Sequence, residues 1–260
     1  MWNWRKNRVE FNNIIEINEY IGGIPVIIMR PIEKRESYPT VVFYHGWTSK
    51  KEYQRFRGYI LASLGYQVVI PDALNHGERG EIDYYAKENA GRFWEVVLQN
   101  LAEFKDLSTE LIQKYNADKD RIAVTGHSMG GFSTAGIFAE NKDIKTAVVV
   151  NGSFDWMASN EIFKRTLGVN DAPYFKELEK RVKEKTPADK ISSLLERPLL
   201  ILHGGADKVV DITPQKEFYE KLRLDYKENE GLKMVTYSNL GHFMSVNMVE
   251  EMSKWFHKYL

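Results

Sequence analysis

Residues 120–132 read Asp120-Arg121-Ile122-Ala123-Val124-Thr125-Gly126-His127-Ser128-Met129-Gly130-Gly131-Phe132, a β-branched apolar run that ends in Gly126-x-Ser128-x-Gly130. Small or apolar residues at helical spacing follow (Ala135, Ile137, Phe138, Ala139), which predicts strand, tight turn and helix. A serine at so sharp a turn is held in a strained backbone conformation, and the glycines two residues to either side make room for neighbouring chain. Ser128 is thereby presented above a sheet edge. With 13 serines and 18 glycines in 260 residues, about 0.06 such pentapeptides are expected by chance. The bland alternative, a glycine-rich turn whose serine merely caps the next helix, is therefore the weaker reading.

Toward the amino terminus, residues from about Val9 to Asn18 and from Ile24 to Arg30 are β-rich and separated by Gly22-Gly23, which predicts an antiparallel hairpin at a sheet edge. Thr40 to Tyr44 and Tyr66 to Ile70 are strands of the buried kind. The first runs into His45-Gly46-Trp47, the second into Pro71-Asp72-Ala73-Leu74-Asn75-His76-Gly77-Glu78-Arg79. Helical spacing covers Glu52 to Leu64 and Phe93 to Tyr115. Toward the carboxyl terminus, strands are expected at Thr146 to Val150, Pro198 to Leu202 and Lys233 to Tyr237, and helices at Thr213 to Leu224 and Met248 to Leu260. Buried strands alternating with helices after an edge hairpin imply an α/β fold: a mostly parallel central sheet of about eight strands with helices on both faces. The residues with chemistry fall just past strand carboxyl ends, where such sheets bind ligands.

No linker-like run interrupts the chain, so a single domain over 1–260 is expected. Lys plus Arg and Asp plus Glu both number 36, which leaves no basic footprint for nucleic acid, and no such partner is expected. Zero cysteines exclude a disulfide framework, thiolate metal sites and a cysteine nucleophile, and fit a reducing cytoplasm. Met1 to Lys6 leads into polar and charged residues rather than a signal peptide, and no window approaches the ~20 apolar residues of a membrane span. A soluble, cytoplasmic protein with no membrane partner is the expectation. The charged run Lys176 to Lys190 reads as solvated helix surface. No metal or cofactor is expected, since no histidine pair stands at i, i+4. Oligomeric state is not encoded in any visible pattern, and a homodimer stays open.

A neutral serine is a poor nucleophile, so it requires a base within hydrogen-bond reach and a third group to fix that base's tautomer. His242 follows the last strand in Gly241-His242-Phe243, and Asp207 follows the strand before it, giving the order Ser, Asp, His. Asp211 and Asp155 are competing carboxylates, but Asp207 alone follows the seventh strand with an Asp-x-x-Val pattern. His45, His76, His127 and His203 suit structural roles, bonding neighbouring turns or packing beside the site.

With the His45-Gly46-Trp47 turn, the elbow Gly126-His127-Ser128-Met129-Gly130-Gly131, the loop His203-Gly204-Gly205-Ala206-Asp207-Lys208-Val209-Val210 and the Gly241-His242 loop in this order, the chain resembles an α/β-hydrolase along nearly its whole length. It is most similar to small bacterial carboxylesterases grouped with the dienelactone hydrolase and prolyl oligopeptidase branches. The resemblance implies a short-chain carboxylic ester as small-molecule substrate, an acyl-enzyme on Ser128, and an oxyanion hole from the backbone N–H groups of Trp47 and Met129. It also implies a short helical cap at about Ser153 to Glu196. Phe163, Tyr174 and Phe175 are aromatics of that cap that could face the acyl pocket, and His76, Trp156, Met157 and Phe243 are the expected pocket residues. The cap is short for a lipase lid, so acyl chains of roughly two to six carbons are expected.

Two rivals stand beside this reading. One is a small peptidase or amidase of the same branch, since the same three residues serve both chemistries. The other is a non-catalytic homologue that uses the pocket to bind a small ligand, which three intact residues argue against. A dienelactone hydrolase would normally carry cysteine where this chain has Ser128.

Overall fold

A computed structural model describes residues 12–167, 173–226 and 231–260, with backbone alone at 167 and 173–175. Eight strands form one sheet: β1 (Ile14–Ile21), β2 (Ile24–Pro31), β3 (Tyr38–Tyr44), β4 (Gln67–Pro71), β5 (Ala117–His127), β6 (Thr146–Val150), β7 (Leu199–Gly204) and β8 (Leu232–Tyr237). Their spatial order is β1-β2-β4-β3-β5-β6-β7-β8. β1 and β2 pair antiparallel, as does β2 with β4, and every later pair is parallel. The hairpin expected at the edge is there, but its first strand continues to Ile21, which is fully buried, and turns at Gly22-Gly23. The predicted start of that strand at Val9 lies outside the described residues.

Period-two alternation sorts side chains onto two faces. From β3, Val42 and Tyr44 enter one core and Val41 and Phe43 the other; from β6, Ala147 and Val149 part from Val148 and Val150 in the same way. One face is covered by α1 (Arg55–Ser63) and α8 (Val246–Tyr259). α8 starts where Ser245 Oγ accepts from the Met248 N–H, and it presents Met248, Val249, Met252, Trp255 and Phe256 at helical spacing. The other face carries α2 (Arg92–Lys114), α3 (Met129–Glu140) and α7 (Thr213–Asp225). The segment expected as a cap holds α4 (Trp156–Leu167), α5 (Pro173–Lys185) and α6 (Ile191–Leu194). The run from Lys176 to Lys190 is not uniformly solvated: Leu178 and Val182 are buried, and Lys185 and Lys190 both meet Glu140.

The chain crosses from β4 on one side of β3 to β5 on the other, so the crevice between β3 and β5 lies at the topological switch point. Pairing sets Tyr44 beside Gly126, His127 beside Val150, Val150 beside Leu202 and Gly204 beside Tyr237. The strands therefore end level, and the loops bearing Trp47, Ser128, Asp207 and His242 rise from one rim.

Candidate active site

Ser128 joins β5 to α3 with φ 58° and ψ −121°, the strained turn that the sequence predicts. The close approaches explain its glycines. A Cβ on Gly126 would lie 2.3 Å from the Gly130 carbonyl oxygen, and one on Gly130 would lie 2.1 Å from that of Tyr44. Helix α3 is buried on nearly all sides, and its first residue, Met129, follows the serine directly. The N-terminal end of the helix, with its partial positive charge, thus faces the space beside Ser128.

His242, on the loop after β8, meets both partners. Its Nδ1 lies 2.7 Å from Asp207 Oδ2 and its Nε2 lies 2.8 Å from Ser128 Oγ. Asp207 is a side chain with no exposed surface, and its other oxygen accepts the backbone N–H groups of Val209 (2.9 Å) and Val210 (3.0 Å). Burial alone would push its pKa up. Bonds from His203, His242 and the Val210 N–H overcome that and hold it well below the usual carboxylate range. An ionised Asp207 only accepts, so Nδ1 of His242 carries the proton and Nε2 offers its lone pair to the serine hydroxyl. The competing carboxylates are engaged elsewhere: Asp211 bonds the Thr213 N–H and Asp155 the Ala158 N–H.

The turn after β3 abuts the serine, since a Cβ on Gly46 would lie 3.4 Å from Ser128 Cβ. His45, buried behind it, accepts the Ala73 N–H at Nε2 (3.1 Å), so its Nδ1–H donates to the Gly46 carbonyl (2.8 Å). That carbonyl and the Trp47 N–H belong to one trans peptide and point in opposite directions. Tying the carbonyl therefore aims the N–H.

The expected pocket residues separate. Trp156 is fully buried, its ring 5.5 Å from that of Trp94; it is a core residue, because its apolar surface is taken up by the α2 helix rather than left open. Met157 lines a cavity of about 130 Å³ with Asp155, Thr186, Ala188, Ile191 and Phe218, which none of Ser128, Asp207 and His242 borders. His76 is buried beneath Trp47 (5.1 Å) and stacked on Tyr84 (4.7 Å), so it supports the turn instead of facing open space. Phe243 stands 62% exposed beside His242. The side chains of Tyr174 and Phe175 lie outside the described residues. Phe163 joins Phe93 (5.6 Å) and Phe132 (5.9 Å), and Phe93 reaches Trp47 (6.0 Å), giving a continuous aromatic strip. Its members Trp47, Phe93 and Phe163 are half-buried. Phe93 and Tyr84 carry no motif, only aromatic character. Asn151 also escapes the sequence reading, although a polar residue directly after the apolar run Ala147 to Val150 is the signal that marks it. Among the described residues no cluster of three or more His, Asp or Glu side chains is arranged to hold a metal, and no helix is long and apolar enough to cross a membrane.

Residues 52–260 match the model of the prolyl oligopeptidase family. The chain is 34% identical over 254 residues to the protein named "Putative esterase YitV" of Bacillus subtilis (strain 168), spanning 94% of this chain and 98% of that one. It is 30% identical over 202 residues to "Esterase YjfP" of Escherichia coli (strain K12), spanning 76% and 80%. The solved structure of TT1662 from Thermus thermophilus superposes with a TM-score of 0.79 at 20% identity, covering 94% of this chain and 97% of that one, a likeness of fold. By its matched residues, its near-full-length relatives and its sheet, the chain belongs to the prolyl oligopeptidase family within the α/β-hydrolases.

Proposed function

We propose that this protein is a serine carboxylesterase that cleaves short-chain carboxylic esters through an acyl-enzyme on Ser128, with His242 as general base and Asp207 as its partner. The observation that carries the proposal is the unbroken hydrogen-bond path from Asp207 through His242 to Ser128, at 2.7 and 2.8 Å. Kinship with two proteins named esterases favours ester over amide cleavage.

As Ser128 Oγ attacks the acyl carbon, its proton passes to His242 Nε2, and the imidazolium is stabilised by Asp207. The carbonyl electron pair moves onto oxygen, which meets the N–H groups of Met129 and Trp47; a donor of this kind is typically worth about 3 kcal/mol in the barrier. Collapse expels the alcohol, which takes the proton back from Nε2. Water then attacks the acyl-enzyme, again giving its proton to His242, and free acid and serine are released. The half-buried strip of Trp47, Phe93 and Phe163 serves as the acyl wall, sized for roughly two to six carbons. The absence of cysteine in the sequence supports a cytoplasmic setting.

Ser128→Ala is expected to lower kcat/KM for nitrophenyl acetate by about 10⁴-fold or more, and a fluorophosphonate probe is expected to label Ser128 in the unmodified protein. Full activity in the variant, or label on another residue, overturns the assignment. Nitrophenyl butyrate should turn over faster than the laurate ester; the reverse order rejects the short-chain preference.

A further inference from the structure

Asn151, directly after β6, is fully buried and holds a left-handed backbone, φ 47°. β6 lies between β5 and β7, and neighbouring strands are about 4.8 Å apart, so a side chain at its carboxyl end reaches loops on both sides. Asn151 Oδ1 accepts the backbone N–H of Gly204 at 2.9 Å, three residues before Asp207. Its Nδ2 donates to the carbonyl of Phe243 at 3.2 Å, next to His242, and to Nε2 of His127 at 3.2 Å, next to Ser128. The backbone partners fix the amide. A flip would set its oxygen against the Phe243 carbonyl and its NH₂ against the Gly204 N–H. Nε2 of His127 is therefore an acceptor, and the proton of that neutral ring sits on Nδ1.

We propose that Asn151 is a positioning residue for ester hydrolysis: its one amide ties together the loops of Ser128, Asp207 and His242, and it holds His127 as the neutral Nδ1–H tautomer beside His242. The proposal rests on the Ser128 reading above. The two imidazole rings are 4.9 Å apart, so a cation at His127 would oppose the imidazolium that His242 becomes when it takes the serine proton. His127 is also faced by Arg57 of α1, by His203 and by Asp207; burial, followed by the neighbouring His242, lowers its pKa to about 3. A carboxylate at position 151 would act in the opposite sense, favouring protonated imidazole and repelling the Phe243 carbonyl.

The test compares Asn151→Asp and Asn151→Gly with the unmodified enzyme on nitrophenyl acetate from pH 5 to 9; glycine keeps the left-handed backbone and removes the amide. Expected are kcat values lower by about 100-fold with KM little changed, and in Asn151→Asp an acid limb of kcat/KM moved up by about one pH unit. Selective ¹⁵N imidazole spectra of the unmodified enzyme, assigned by difference from His127→Gln, should show His127 protonated on Nδ1, a readout that depends on no Asn151 variant folding. Unchanged kcat and pH profile in both variants, or an Nε2–H tautomer at His127, overturns the proposal. If either result comes with an inactive Ser128→Ala, the positioning role alone falls; full activity in Ser128→Ala removes both readings.

Discussion

Two segments near the active-site rim differ in what chiefly anchors them. The loop after β4, residues 72–80, is fixed by charge. Asp72, fully buried, accepts from the Lys51 N–H (2.9 Å), from Lys51 Nζ (2.6 Å) and from the Glu78 N–H (3.0 Å), while Lys51 Nζ also meets Glu78 and Glu52. The segment after β6 is fixed by ring contacts, Trp156 on Trp94 and Phe163 on Phe93 and Phe132. Charged hydrogen bonds admit one geometry, whereas apolar contacts tolerate repacking when volume is kept. The loop that backs the oxyanion turn is thereby rigid by construction, and the segment that carries Phe163 is open to variation.

Four experiments put this contrast to the test. Lys51→Ala leaves Asp72 in the core without its main cation, and chemical denaturation should show a loss of about 3–5 kcal/mol; a loss below 1 kcal/mol would deny the charged loop its role. Trp156→Phe, which keeps an aromatic ring against Trp94, should cost only about 1–2 kcal/mol and leave ester turnover intact. An abolished turnover would return Trp156 to the pocket.

The third experiment uses pH. Burial, with His76 alongside, lowers the His45 pKa from its ordinary 6.5 to about 4. Between those values the unfolded chain binds a proton that the folded chain does not, so stability rises with pH across that window, by up to about 1.4 kcal/mol per unit. Denaturation curves from pH 4.5 to 7 should show the slope, and His45→Gln should reduce it by the share of one group, leaving that of His127 and His76, whose pKa values burial lowers in the same direction. A slope unchanged in the variant would place the linkage elsewhere. The smallest effect is expected at Phe243→Ala: the ring is 62% exposed, and stability should move by less than about 0.5 kcal/mol.

The same contrast governs what the sequence disclosed. Ser128, Asp207 and His242 were legible because each sits in a turn whose backbone demands particular neighbours: glycines at 126 and 130, the Val209 and Val210 N–H groups around Asp207, Gly241 before His242. The strands β3, β4, β6 and β7 were legible for a related reason, as burial on two faces leaves them as nearly unbroken apolar runs. Trp156 and Met157 were misplaced because an aromatic or a methionine at helical spacing looks alike in a core, a cavity or a pocket. Asn151 shows locally only as a polar residue after an apolar run, and its role was hidden because its partners lie 24, 53 and 92 residues away. Hydrogen bonds of that reach leave no local pattern.

The positive φ at residue 128 also limits which atoms the elbow can display. A β-branched side chain is an outlier there, and the one the neighbouring turn carries, Thr48 at φ 64°, shows that the cost is strain rather than exclusion. A secondary alcohol at position 128 would carry that strain before any reaction is considered. Serine, with oxygen on a single methylene, carries less of it.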